Sequence, residues 1–289
     1  MLNKNNSKIM KKIILTLASL ALGAAMMSAQ DLKAVSELFN SGAESLNNGA
    51  KTEALASFQN ALSQATALGD DGKEVVDNCK NIIPNLMISI AKDLFKEDKI
   101  DDAIAKAGEA LAFAKEFNIA EGIEDATKII GQFKFQKGND ALNAKDFAGA
   151  VEAYRSVLDG DSANGAAALR LGMALVGSGD TAAAEEAFKT AAANGQEAAA
   201  NKQLGNLALK AAAAALKTKD FQGALENALK SAEFNPSANA FKIAGNAAAQ
   251  LKKYKEAVEY FGKYLNINPN AADAAQIKTT VEALKKLAQ

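Results

Sequence analysis

The chain has no histidine and no tryptophan among its 289 residues, one cysteine and three prolines. Without histidine, the commonest general base and the commonest metal ligand are missing. A single cysteine, Cys79, can form neither an internal disulfide nor a thiolate metal cluster. It lies in an apolar-periodic run with Val75, Val76, Ile82 and Ile83, so it is expected as a buried core thiol behaving as a small hydrophobe. Few prolines and few alternating β-branched runs argue against a sheet. No glycine-rich loop precedes a Lys-Ser/Thr pair, and there is no dinucleotide fingerprint or nucleophile elbow. The acidic pairs Asp70-Asp71, Asp101-Asp102 and Glu185-Glu186 fall in loops and at helix starts, where solvation or capping accounts for them. The expectation is a non-enzymatic protein with no cofactor and no bound metal.

What is present is apolar and small. Hydrophobic residues make up 49% of the chain, enough to build a large buried area rather than a disordered one. Runs such as Ala211–Ala215 favour helix intrinsically.

The amino terminus has its own pattern. Lys8, Lys11 and Lys12 precede an apolar run from Ile13 to Met27, and small residues lead to Ser28-Ala29-Gln30. A basic region, an apolar region and a small-residue site spell a secretory signal peptide over residues 1–29, cleaved after Ala29. The run is short for a membrane span, so no stable span is expected after cleavage. This segment carries Lys4, Lys8, Lys11 and Lys12 and no acid, so its removal takes the formal charge from −1 to −5. A mildly acidic mature chain argues against a nucleic-acid partner. A periplasmic or otherwise secreted protein is expected, and the style of the segment resembles leaders of the Bacteroidota.

From Gly131 to Asn194 the sequence repeats itself at a shift of 34 residues. Gly138 falls on Gly172, Asp146 on Asp180, Ala150 on Ala184 and Tyr154 on Phe188. Each copy spells two amphipathic helices, 132–144 with 147–158 and 165–177 with 181–193. Asp146 and Asp180 stand where the second helices begin, and a short acid there accepts from unpaired first-turn N–H groups. The small residues at 138/172 and 150/184 permit close helix approach, and the aromatic at 154/188 fills the adjoining space. A helix pair every 34 residues is the signature of a helical solenoid.

These positions resemble the tetratricopeptide repeat family: Leu171-Gly172 with Leu175, Ala184, Phe188 and Ala191 in one unit, and Gly138, Ala150 and Tyr154 in the unit before it. The resemblance implies an all-α, right-handed helical-hairpin solenoid over residues 30–289, with about six units and a capping helix. Units are expected near 35–68, 84–117, 131–164, 165–197, 198–237 and 238–270, and the cap at 271–289. In the first, Gly42, Ala54, Phe58 and Ala61 fit the pattern. The second puts Ala107 where the aromatic belongs, and Pro84 inside the long helix leading into it is expected to kink or split that helix. In the fifth, Phe221, Ala224 and Pro236 come about seven residues late. Seven residues are close to two helical turns, so such an insert keeps the buried face aligned. The sixth fits throughout, with Phe241, Gly245, Tyr254, Ala257, Phe261, Tyr264 and Pro269.

The family's first helices line a concave groove, and its repeat positions five and nine face it. Two units carry a lysine and an asparagine there, Lys202 with Asn206 and Lys242 with Asn246. Asn139 and Arg170 are expected in the same row. Lysine supplies charge and asparagine can hydrogen-bond a peptide backbone. The resemblance therefore implies a protein- or peptide-binding scaffold of the cell envelope. The alternative is a structural subunit of an envelope assembly, binding through its convex or terminal surfaces.

Overall fold

The computed structural model describes residues 29–289, so the expected signal peptide lies almost entirely outside the described residues. Those residues are helical throughout and contain no strand. The chain divides into two compact units, one ending at Lys137 and the other starting at Gly138.

The first unit contains α1 (Ala29–Asn47), α2 (Lys51–Ala67), α3 (Lys73–Lys96), α4 (Ile100–Glu116) and most of α5 (Ala120–Asn143). The loop at Gly69–Gly72 is a single 3-10 turn. Consecutive helices α1 to α4 pack as neighbours. Their core gathers Phe58, Leu62, Cys79, Ile83, Met87 and Phe113. Contrary to the sequence expectation, α3 runs through Pro84 as one helix. A proline inside a helix removes a backbone bond and crowds the preceding turn. Pro84 is buried, and burial between helices outweighs that local penalty. The second repeat, with Ala107 in the aromatic's place, packs in its own way. Ala107 stands where other hairpins bury an aromatic, and Phe133 of α5 is buried against Ala91, Ala103 and Ala107, with Phe95 of α3 packed beside it. Phe133 stacks on Phe95 with ring centroids 4.5 Å apart.

The second unit contains the end of α5 followed by α6 (Phe147–Leu158), α7 (Gly165–Ser178), α8 (Thr181–Ala191), α9 (Glu197–Lys217), α10 (Phe221–Phe234), α11 (Ala238–Gln250), α12 (Tyr254–Ile267) and α13 (Ala274–Leu287). Helices α8 and α9 are separated by a break at Ala192–Gln196, where Gly195 takes φ 82°. Helices pack in sequence, α7 on α8, α9 on α10, α11 on α12, and α13 closes on α12. Within each unit this is a stack of helical hairpins, in which each helix buries its apolar stripe against its chain neighbours.

Two local devices set the hairpins. The first is glycine against ring. Phe58, Tyr154, Phe188 and Phe261 are among the largest fully buried side chains, and each follows a glycine by sixteen residues. A Cβ on Gly42, Gly138, Gly172 or Gly245 would lie 3.0, 2.7, 2.4 or 2.7 Å from that ring. Burying such a ring contributes roughly 1.5–3 kcal/mol, and it fits only because the facing helix has no side chain there. The second device is the cap. Asp146, Asp180 and Asp220 accept from the backbone N–H three residues on, at 3.0, 3.0 and 2.9 Å, as expected for Asp146 and Asp180.

The turns inside the hairpins share one more feature, which glycine signals at Gly49 and Gly179 and the sequence conceals at the other four. Gly49, Asp98, Lys145, Gly179, Lys219 and Lys252 all have φ between 61° and 89°. A left-handed residue lets the chain reverse and satisfies the last carbonyls of the first helix. In the third hairpin Lys145 N–H bonds Leu142 O at 3.1 Å and Asp146 N–H bonds Ala141 O at 2.8 Å.

The fifth hairpin keeps the Asp220 cap and departs in helix length and in the glycine–ring contact. Helix α9 has 21 residues against 13 in α11, so the insert expected from sequence is carried as two more turns of first helix. Opposite Gly205 stands no ring. The buried Ser231 donates to Gly205 O at 2.8 Å instead.

Candidate functional site

Among the described residues, no group of histidine, cysteine or carboxylate side chains has metal-holding geometry. Cys79 is fully buried, and burial pushes its thiol up to about 11, far from the range of a reactive thiolate.

The second unit instead holds an open groove of about 510 Å³ between the first helices of the last two hairpins. Helix α9 lines it with Asn206, Leu209, Lys210, Ala213 and Leu216. These recur at steps of three and four residues, which places them on one helical face. Helix α11 lines the other side with Asn239, Lys242, Ile243 and Asn246 at the same kind of spacing. Ala213 and Leu216 belong to the two additional turns of α9, so the insert lengthens the groove wall. At 1.5 Å per residue, seven residues add roughly 10 Å. The floor is aliphatic and the rim carries three amides and two amines.

Three of the six residues singled out from sequence therefore meet here: Asn206, Lys242 and Asn246. Lys202, one turn before Asn206 on α9, is exposed and does not line the groove. Asn139 and Arg170 gather elsewhere, around Tyr154. Asn139 Oδ1 accepts from the Tyr154 hydroxyl at 2.8 Å. Burial raises the Tyr154 phenol, and the nearby Arg170 charge opposes that rise. Asn139 thus holds a core tyrosine, and its amide oxygen is engaged.

Lys242 is not a bare cation either. Its Nζ lies 2.5 Å from Asp273 Oδ2, and 5.8 Å from the centre of the Tyr264 ring. The other oxygen of Asp273 accepts from the Tyr264 hydroxyl. Hydrogen bonds from Lys242 first, and from Tyr264 second, hold the Asp273 carboxyl below its ordinary range. Asp273 precedes α13, and no repeat spacing connects it to Lys242, so sequence reasoning missed it. Leu209, Lys210, Asn239 and Ile243 were also missed. They could have been found by stepping three and four residues along the faces that carry Asn206 and Asn246.

Residues 141–207 and residues 243–271 match two models of the tetratricopeptide repeat. Within those two stretches the chain carries tetratricopeptide repeats. The matched stretches contain Asn206 at the end of the first and Asn246 near the start of the second. No curated protein matches the chain. Among solved structures, it is similar to a MamA protein at 23% identity, over 54% of this chain and 83% of that one, with a TM-score of 0.39. It is also similar to YrrB, described as a TPR protein with an unusual peptide-binding site, at 20% identity over 72% and 96%, with a TM-score of 0.36.

Proposed function

We propose that the chain is a non-catalytic scaffold that holds an extended segment of a partner protein in the groove between α9 and α11. One observation carries this reading: Asn206 and Asn246 flank an aliphatic floor made by Leu209, Ala213, Leu216 and Ile243. An amide side chain offers both a donor and an acceptor, which matches the backbone of an extended peptide. The floor takes apolar side chains. Both walls are helical hairpins with fixed cores, one held by the Ser231 bond to Gly205 O and the other by Phe261 against Gly245, so binding orders little of the protein and loses little entropy.

The location proposed is the cell envelope. The basic, apolar and small-residue stretches of residues 1–29 support export, and the excess of acid left after their removal suits a protein partner better than a nucleic acid. Lys242→Glu is a poor probe of the groove, because it would set a second carboxylate against Asp273. Asn206→Ala with Asn246→Ala removes the two amides and leaves the core untouched. A segment selected from a random peptide library should bind this double variant at least tenfold more weakly, with helix content unchanged. Equal affinity for both proteins would dismiss the groove.

A further inference from the structure

The groove contains two amines, and the fold treats them differently. Lys210 has no carboxylate against it among the described residues, whereas Lys242 is paired with Asp273. Asp273 is not a drifting surface acid. Its second oxygen is held by the hydroxyl of Tyr264, which is 4% exposed and part of the core. A carboxylate fixed on one side by a buried phenol and on the other by an amine stays in place as one unit. It is the carboxylate that Lys242 already holds.

We infer that Asp273 determines the specificity of the groove by occupying Lys242 from within, so that the groove accepts an extended, apolar partner segment carrying a single acid, opposite Lys210. The inference rests on the groove reading given above and names the chemistry of its occupant. A segment with a second acid near Lys242 would find that amine already neutralised by the Asp273 carboxylate, and like charges repel. Removing the Asp273 charge frees Lys242 and makes a second acid acceptable. Asparagine at 273 keeps an oxygen for the Tyr264 hydroxyl, so the anchor survives the substitution.

The test is a selection of random twelve-residue peptides displayed within a carrier protein, run against the wild-type chain, Asp273→Asn, and Asp273→Asn with Lys242→Gln. Wild type should enrich apolar sequences with one acidic position. Asp273→Asn should enrich sequences with two, and resynthesised two-acid peptides should bind it about fivefold more tightly than wild type, the effect expected of one partly exposed ion pair. The double variant should lose that gain, which assigns it to Lys242. Circular dichroism and a melting curve establish that each variant is folded. If Asp273→Asn unfolds, Asp273→Ser serves in its place. Two-acid peptides bound equally by wild type, or identical sequences enriched by wild type and Asp273→Asn, would overturn the role of Asp273 while leaving the groove standing. No enrichment by any of the three proteins would remove the groove itself, and the inference with it.

Discussion

The ring of Phe188 fills the space that a side chain on Gly172 would need. A Cβ placed there would stand 2.4 Å from Phe188 Cε1. Neither partner is free to move, because Phe188 is fully buried. Gly172→Ala is therefore expected to destabilise the second unit by about 1–3 kcal/mol, as overpacking does, and to lower the melting temperature by several degrees. Gly262 in α12 is the control, since nothing lies within 4 Å of a Cβ built on it. Gly262→Ala should stabilise by roughly 0.5–1 kcal/mol through the entropy of the unfolded chain. The two alanine substitutions thus move the melt in opposite directions. A shift of the same sign in both would contradict the packing account.

The capping acids give a second expectation. Asp180 Oδ1 accepts from Ala183 N–H at 3.0 Å, satisfying one of the open donors at the start of α8. Asp180→Ala should cost about 1 kcal/mol in urea unfolding, and Asp180→Asn, which keeps an acceptor, markedly less. Equal losses for the two would mean that the cap contributes through charge rather than through this bond.

These two features were legible in the sequence because both are local and repeat. A glycine and an aromatic sixteen residues later recur in four hairpins, in two of them with an acid midway, and each has one physical meaning. The rest required three dimensions. Lys145, Lys219 and Lys252 hold left-handed turns, yet lysine has no preference for that conformation, and only the packing of the flanking helices imposes it. Phe133 fills the space beside Ala107 from the next hairpin, a substitution that no repeat alignment displays. Pro84 was expected to disrupt α3 and is instead buried in an unbroken helix. In the groove, Asn206, Lys242 and Asn246 followed from repeat position, whereas Asn139 turned to Tyr154 and Asp273 came in from beyond the last hairpin.

Cys79 supplies a prediction about pH. The unfolded thiol titrates near 9.0 and the folded one is pushed up to about 11 by burial. Between those values the folded chain holds a proton that the unfolded chain has lost, so stability falls as pH rises through that window. Cys79→Ala should remove one proton's share of the alkaline slope in unfolding free energy. At pH 8 an aromatic disulfide reagent should label native Cys79 only as fast as the core opens, and label the urea-unfolded chain at once. Rapid labelling of the native protein would place the thiol at the surface.

Glu185 governs the acid side. It joins α8 to α10, with both its oxygens within 3.0 Å of Lys230 Nζ, and Lys189 adds a contact at 3.1 Å. These partners, Lys230 foremost, hold its carboxyl below the ordinary value of 4.5. A depressed folded value stabilises the protein above the unfolded value, and that contribution is lost as pH falls through the folded one. Glu185→Gln should therefore be less stable than wild type by a constant margin from pH 6 to 8, and the two urea midpoints should draw together as pH falls below the ordinary value of 4.5. Salt should narrow the margin, since the pair is partly exposed. A gap that persists unchanged to pH 3 would assign it to packing instead.

The groove between α9 and α11 is tested most directly by filling it. Ala213 lines the groove, and its neighbour Ala214 is exposed and does not. Phenylalanine at 213 should block a library-selected peptide, weakening its affinity at least tenfold in a fluorescence anisotropy titration. Phenylalanine at 214 should leave that affinity as it is in wild type. Equal binding by Ala213→Phe and wild type, with both folded, would show that the partner lies on another face.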